Sequence, residues 1–349
     1  QGEFYAILLI SILAMMLLVS SGELLTAYIS LELLSFSLYI LAGYARTDDK
    51  SNEAGVKYIL LGAFSSALLL YGVSLLYGTL GTTRFDEMAA VLKDINTIDG
   101  RLLVGLAFLM VGLGFKLAMV PFHMWAPDVY EGAPLPITAY IAAGSKAAAF
   151  ALVLRLFAEG LIPAAQQWGF VLAVFAAITM IVGNLVALAQ QNVKRMLAYS
   201  SIGQAGYLLM GIAALSSLSA TGLIFHLVGY VFTTLAAFTA IVAFYNCTAK
   251  DKIQDFAGLS TRSPILAASI AIAFFSLAGL PFFAGFVTKF YLFTAVANEG
   301  FLWLAALAAT TSLISLYYYL MVIRQMYIEP INDLAPIKTS PLISGTLVA

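Results

Sequence analysis

The sequence is a succession of apolar runs, each long enough to cross a lipid bilayer as a helix and separated from the next by a short polar segment. One crossing takes roughly 20 apolar residues, so the chain has room for about ten complete spans. This pattern predicts an all-α polytopic membrane protein. We place the spans at residues 4–20, 24–45, 55–79, 102–125, 135–158, 168–190, 196–214, 219–245, 264–294 and 301–327, with a further run beginning near 337.

Charged residues are too scarce to cover the surface of a soluble protein. The 349 residues include 17 Lys and Arg and 18 Asp and Glu, so that 10% are charged and 62% are hydrophobic. Soluble domains carry roughly 25% charged residues, which excludes a cytosolic enzyme. Because the chain has no basic block, the expected surroundings are the lipid bilayer and other membrane proteins, and not nucleic acid.

Cysteine and histidine limit the chemistry of the chain. Cys247 is the single cysteine, which excludes a disulfide framework and an Fe–S cluster held by four thiolates of this chain. A bis-His haem would need both His123 and His226 on facing helices at one depth. No phosphate-binding Gly–Lys loop, dinucleotide fingerprint or metal-spaced cluster occurs. We therefore expect no metal, no cofactor and no redox centre in this chain.

Lys and Arg are distributed unevenly between the loops. They concentrate in the even-numbered loops, which predicts that these loops and Gln1 face the cytoplasm-like side. In the third loop, basic residues are offset by acidic ones. The basic residues of the even-numbered loops are Arg46, Lys50, Lys57, Lys194, Arg195, Lys250, Lys252, Arg262, Arg324 and Lys338.

Two of the spans are interrupted at corresponding places. The fourth contains Lys116 followed by Pro121, and the ninth contains Pro281 followed by Lys289. Proline breaks a helix, and broken helices at membrane depth line cavities or protein interior. Because the two lie five spans apart, a five-span unit with an odd number of crossings has to be repeated in the opposite orientation, which is typical of inverted-repeat transporters. We predict repeats at residues 1–165 and 166–330.

The two ends of the sequence suggest a piece of a longer protein. The chain begins at Gln1 with no methionine and no signal-peptide pattern, and its last apolar run stops at Ala349. We therefore expect a fold truncated at both ends, with residues 331–349 as the start of an incomplete last helix.

Ionisable residues inside the spans are functional candidates because a charge in the bilayer is costly. Glu32 has apolar residues on both sides, which favours a titrating carboxylate over a structural one. Lys57 is its natural partner along the sequence, but it lies less deep and could equally be an interfacial lysine. Arg155, near the end of its span, is better explained as an interfacial anchor.

The buried lysines are the strongest candidates for proton transfer. Lys116 lies between apolar flanks, and burial favours the neutral amine, so it can exchange a proton. His123 follows seven residues later, about two helical turns, so it is expected on the same face; core packing is the alternative. Lys146 is either a relay or a salt-bridge partner, and Lys289 repeats the argument for Lys116. Tyr199 could link the halves through its hydroxyl or simply pack in the core.

Three segments carry a family resemblance. They are PFHMWAPDVYEGAPLPITAYIAAGSKAAAFAL (121–152), NLVALAQQNVKRMLAYSSIGQAGYLLMGI (184–212) and SLAGLPFFAGFVTKFYLF (276–293). The chain resembles the antiporter-like membrane subunits of respiratory complex I, and the PDVYEGAP version resembles the branch that comprises subunit N, mitochondrial subunit 2 and their counterpart in the plastid NDH complex.

The resemblance implies a fourteen-helix antiporter-like fold of which this chain would lack the first three helices, with inverted repeats over family helices four to eight and nine to thirteen. It implies proton transfer coupled to quinone reduction, with NADH, FMN, Fe–S clusters and quinone bound by other subunits. The implied location is a bacterial inner membrane, or else a thylakoid or mitochondrial inner membrane. The matching proton-path residues are Glu32, Lys57, Lys116, His123, Lys146, Tyr199 and Lys289.

Two other functions remain open at the level of the sequence. An Mrp-type secondary cation/proton antiporter would use the same buried residues without redox coupling. A structural scaffold would use them only to hold helices together.

Overall fold

The computed structural model describes residues 2–94 and 99–330, together with Ile337 and Gly345. Every regular element in these ranges is a helix. The predicted last helix at 331–349 and Lys338 lie outside the described residues. In chain order the helices are α1 Gly2–Ser20, α2 Leu24–Ala42, α3 Asp49–Leu80, α4 Phe85–Asp94, α5 Gly100–Leu117, α6 Trp125–Gly132, α7 Leu135–Gly160, α8 Ala165–Ala187, α9 Val193–Ala213, α10 Ser217–Thr248, α11 Pro264–Ala278, α12 Ala284–Asn298 and α13 Leu302–Tyr327.

Helix ends follow the capping residues of the sequence. The carboxylate of Asp48 accepts a hydrogen bond from a backbone N–H at the start of α3, and the amide oxygen of Asn192 does the same for α9. In the described ranges, eight helical segments are long and apolar enough to cross a membrane. With α9 and the pair α11–α12 they account for the ten predicted spans, so the expected all-α membrane fold is confirmed.

Both predicted breaks are present. The first separates α5 from α6: α5 ends at Leu117, Ala118 has a left-handed φ of 58°, and α6 begins at Trp125. The second separates α11 from α12, where the ninth predicted span 264–294 is in fact two helices. In each group of five spans the broken one is the fourth.

The even-numbered loops meet at one end of the molecule and loops 1, 3 and 5 at the other. Lys50 in the second loop forms an ion pair with Glu131 in the fourth, at 3.2 Å between Nζ and Oε1. At the opposite end, the backbone N–H of Leu24 donates to the carbonyl oxygen of Thr83 at 2.9 Å. The third loop also contains α4, a short helix that the apolar runs did not predict. Alternating loops therefore lie on opposite sides, as ten membrane crossings require.

Helix α9 lies at the centre of the fold. Nearly every one of its residues is buried, and its tightest contact is with α8. A Cβ atom on Gly183 of α8 would lie 2.5 Å from the backbone nitrogen of Gly203 in α9, so only glycine permits this approach. Large exposed apolar side chains such as Phe232 and Leu313 lie on the outside of the bundle, where lipid or another membrane protein covers them.

Candidate proton-transfer site

Glu32 is half-buried in α2 and is held by a hydroxyl group of α3. The Oγ of Ser66 donates a hydrogen bond to its Oε1 at 2.6 Å. The hydroxyl of Tyr28 contacts the same serine at 3.1 Å. The carboxylate is therefore fixed by neutral hydroxyl groups at this point of the bundle.

Lys57 does not pair with Glu32, so the predicted partnership is wrong. Its Nζ instead forms ion pairs with Glu53 and Asp128, each at 2.7 Å. The reason is depth: Lys57 lies nine residues before Ser66 on α3, about 14 Å along the helix axis. Its side chain is 42% exposed, which agrees with the alternative prediction of an interfacial lysine.

Lys116 lies in the last turn of α5, immediately before the first break, and is 4% exposed. Its Nζ donates to the Oγ of Ser35 at 3.0 Å. Ser35 lies one turn after Glu32 on the same face of α2. The Ser35 hydroxyl itself donates to the carbonyl oxygen of Leu31 at 2.7 Å, so Glu32 and Lys116 are held by two different serines, Ser66 of α3 and Ser35 of α2.

His123 does not share a helical face with Lys116. The predicted spacing of two turns assumed a continuous helix, whereas α5 ends at Leu117 and His123 lies in the segment before α6. Its Nδ1 is buried and has no hydrogen-bond partner among the described residues. His123 thus remains near the break, but the predicted shared face with Lys116 is wrong.

Lys146 reaches from α7 into the centre of the second half. It is 3% exposed and follows a π-helical turn at Ile141–Ser145, a feature frequent at functional sites. Its Nζ donates to both the carbonyl oxygen, at 2.9 Å, and the hydroxyl of Ser201 in α9. Within the described part of the chain, Lys146 and Lys116 share no direct hydrogen bond.

Lys289 occupies the corresponding position beside the second break. It is 4% exposed and donates to the carbonyl oxygen of Leu277 at 2.7 Å and to the Oγ of Ser312 at 3.0 Å. Its ammonium group also lies 4.9 Å from the centre of the Tyr207 ring.

Tyr199 and His226 differ in their hydrogen bonding. Tyr199 is half-buried and its hydroxyl makes no hydrogen bond within the described ranges. His226 in α10 is 2% exposed, and its ring nitrogens contact Thr288 at 3.0 Å and Gln204 at 3.2 Å. Gln204 in turn shares the Leu277 carbonyl with Lys289. The sequence does show His226 as a histidine within an apolar span, but we considered it there only as a possible haem ligand.

Charged side chains collect at the end of the molecule where the even-numbered loops meet. Arg195 of α9 forms ion pairs with Asp128 at 2.7 Å and with Glu131 at 3.2 Å, both in α6. These residues line a cavity of about 210 Å³ together with Lys50 and Glu53. These ion pairs therefore hold α6, the helix after the first break, against α9 in the second half of the chain.

A separate ion pair joins Lys194 to Asp251 at 2.9 Å. Burial opposes ionisation of Asp251, but the hydrogen bond and charge of Lys194 outweigh it and hold the pKa of this carboxyl below its ordinary value. The described residues contain no group of three or more His, Cys, Asp or Glu that could hold a metal ion.

Residues 21–315 match the transmembrane family of NADH:quinone oxidoreductase and Mrp antiporter proteins. The chain belongs to this family. Relatives in the family include NADH-quinone oxidoreductase subunit N of Moorella thermoacetica, 46% identical over all of this chain and 73% of the relative. NAD(P)H-quinone oxidoreductase subunit 2 of Gloeothece citriformis is 44% identical over 99% of this chain and 68% of its own length.

Solved structures of the family share the fold. A chain of respiratory complex I from Thermus thermophilus superimposes with a TM-score of 0.85 at 35% identity, covering 100% of this chain and 76% of that one. A chain of the Mrp complex from Dietzia sp. gives a TM-score of 0.85 at 25% identity, covering 97% and 66%. The resemblance predicted from the three segments is confirmed, and the chain is a multi-pass integral membrane protein.

Proposed function

We propose that this chain is the subunit N-type membrane component of a proton-pumping NADH:quinone oxidoreductase, located in a bacterial membrane beside other membrane subunits. It would carry protons and no electrons, with the redox cofactors bound by other subunits. Residues 1–165 and 166–330 would form the two inverted repeats.

One observation carries the proposal: each of the three lysines buried within the spans is bonded to a serine hydroxyl and to none of the carboxylates that the structure describes. The pairs are Lys116 with Ser35, Lys146 with Ser201 and Lys289 with Ser312. A hydroxyl can accept a hydrogen bond from an ammonium group or donate one to a neutral amine. A carboxylate partner would instead hold the lysine in its charged form. These sites are therefore suited to lysines that gain and lose a proton.

The arrangement also suggests how the path is controlled. Glu32 lies one turn before Ser35, the hydrogen-bond partner of Lys116. A carboxylate near a lysine favours the charged amine, so a change in the charge or position of Glu32 would alter the proton affinity of Lys116. Lys57 would act indirectly, because its ion pair with Asp128 anchors α6 after the break. Protons would pass between Lys116 and Lys289 by way of Lys146, with His123 and Tyr199 as further candidates near the path.

The Mrp-type antiporter is the second candidate. The fold matches both kinds of complex with the same TM-score of 0.85, but sequence identity is 35% with the complex I chain and 25% with the Mrp chain. The relatives at 46% identity are also named as subunit N. These similarities favour the redox-coupled function.

The Lys116→Arg variant separates proton transfer from a structural role. Arginine keeps the positive charge but does not deprotonate in the working range, so we expect proton pumping by the assembled complex to fall roughly tenfold. Lys116→Ala should be impaired as well. Pumping would be measured in reconstituted vesicles alongside quinone reduction, with the exposed Lys93→Arg as the matched control.

A scaffold role leads to the opposite ranking, in which arginine is tolerated and alanine is harmful. Near-normal pumping by Lys116→Arg would therefore contradict the role given to Lys116.

A further inference from the structure

Tyr230 occupies the space between the buried lysines of the two halves. It lies in α10, one helical turn after His226, and is 3% exposed. Its hydroxyl contacts the Oγ of Ser201 at 2.7 Å and the carbonyl oxygen of Ala142 at 3.1 Å. Because Ser201 also accepts a hydrogen bond from Lys146, Tyr230 is one hydroxyl group away from that lysine.

The directions of these hydrogen bonds are determined by the number of protons available. A carbonyl can only accept, so Tyr230 donates to Ala142. The Tyr230 oxygen then accepts from Ser201, whose oxygen accepts from Lys146. The three groups therefore form a chain of donors that runs from Lys146 to Tyr230, all within buried side chains.

Tyr230 lines two small cavities. Each has a volume of about 10 Å³, which is near the lower limit for one water molecule. The first is lined by Ser201 and by Thr234, whose Oγ1 is buried without a hydrogen-bond partner in the described part of the chain. The second is lined by His226 and Lys289. Tyr230 is a wall of both cavities.

We propose that the hydroxyl of Tyr230 transfers protons between Lys146 and Lys289, with one water molecule in the cavity that Tyr230 shares with His226 and Lys289. The inference rests on the proposed proton-transfer function and assigns a step to a residue outside the predicted path. Tyr199 is not suited to this step because its hydroxyl is bonded to none of these residues.

The transfer is a concerted shift along hydroxyl groups. The ammonium of Lys146 gives a proton to Ser201, Ser201 gives its own proton to Tyr230, and Tyr230 passes its proton through water to the amine of Lys289. Each hydroxyl gains one proton and loses one, so both end neutral. The net change is one proton moved from Lys146 to Lys289, with no electron transferred. The hydroxyl of Tyr230 only has to rotate away from the Ala142 carbonyl.

The test is Tyr230→Phe in the complete assembled complex. The variant keeps the ring and removes the hydroxyl, so we expect proton pumping to fall by about tenfold, the rate change that corresponds to one hydrogen bond lost along the path. Tyr140→Phe is the matched control, since it removes a tyrosine–serine contact of the same 2.7 Å length, to Ser11 of α1, that involves none of the buried lysines. The control should pump normally.

A kinetic signature distinguishes proton transfer from packing. If the lost hydroxyl slows proton transfer, the solvent deuterium isotope effect on turnover rises in Tyr230→Phe and stays at the wild-type value in Tyr140→Phe. Ser201→Ala interrupts the same link from α9 and should give the same two results. The double variant of Tyr230→Phe and Ser201→Ala should be no slower than the slower single variant.

Lys146→Ala, measured in parallel, separates the two proposals. Normal pumping in Lys146→Ala would contradict the proposed function itself. A defect in Lys146→Ala with normal pumping and an unchanged isotope effect in both Tyr230→Phe and Ser201→Ala would overturn only the role of Tyr230. If Tyr230→Phe fails to assemble, the result for Ser201→Ala decides.

Discussion

At the scale of single residues, the site combines charged groups with neutral hydrogen-bond partners. Lys116, Lys146 and Lys289 are nearly inaccessible, yet each has a hydroxyl partner that can reverse its hydrogen bond. Glu32 is likewise bonded to Ser66. A change of protonation at any of these groups therefore leaves no polar atom without a partner, which avoids the main cost of a buried charge change.

Glu32→Gln tests the control exerted by this carboxylate. Glutamine keeps an oxygen that can accept the hydrogen bond of Ser66 but removes the negative charge next to Lys116. We expect the amount of assembled complex to be unchanged and proton pumping to fall roughly tenfold. Glu3→Gln, an exposed residue of α1, is the control. Unchanged pumping in Glu32→Gln would show that Glu32 is structural.

The sequence predicted which lysines are buried within the spans but not what they contact. Apolar flanks are a local property, and they indicated Lys116, Lys146 and Lys289 correctly. Their partners lie far along the chain: Ser35 is 81 residues from Lys116, and Ser201 is 55 residues from Lys146. Only the packing of different helices brings such pairs together, and nothing in the local pattern indicates it.

At the scale of helices, the two breaks determine where the lysines lie. Pro121 and Pro281 predicted both breaks, but the end of each helix depends on backbone geometry that the sequence leaves open. The assumption of a continuous helix after Lys116 led to the wrong placement of His123, because α5 ends at Leu117. Conversely, α4 was missed because its amphipathic pattern is short and lies within a polar loop.

Gly285→Ala tests the packing at the second break. A Cβ atom at this position would lie 1.8 Å from the carbonyl oxygen of Ser276, so α12 would have to move away from α11. We expect a loss of stability of about 1–3 kcal/mol, measured as a lower melting temperature of the purified complex, together with reduced pumping because Lys289 is displaced.

Gly78→Ala in α3 is the matched control for this variant. A Cβ atom there meets nothing within 4 Å, and alanine is the better helix former. The melting temperature should stay constant or rise slightly. An equal melting temperature for Gly285→Ala and the wild type would show that the contact between α11 and α12 does not constrain the break.

At the scale of the whole molecule, the two halves meet at α9 and at the charged cluster around Arg195. Hydropathy predicted the number and order of the spans, because each one has to satisfy its own backbone within the membrane. The placement of α9 at this junction depends on close contacts such as Gly183 of α8 against Gly203 of α9. Small residues of this kind are compatible with many helix pairings, so the sequence alone did not specify this one.

The orientation in the membrane is tested by cysteine labelling. In a variant with Cys247→Ser, Gln191→Cys marks the sixth loop and Glu299→Cys marks the ninth. The Lys and Arg distribution predicts that a membrane-impermeant maleimide labels Glu299→Cys from the outside and Gln191→Cys only from the cytoplasm-like side. Labelling of Gln191→Cys from the outside would reverse the topology.

The most direct test of the central claim is proton pumping by Lys116→Arg, Lys289→Arg and their combination, measured per electron transferred in vesicles that contain the complete complex. If both lysines belong to one path, each single variant pumps roughly tenfold less than the wild type, and the double variant pumps no less than the weaker single one. Near-normal pumping in either single variant would contradict a proton path through these lysines.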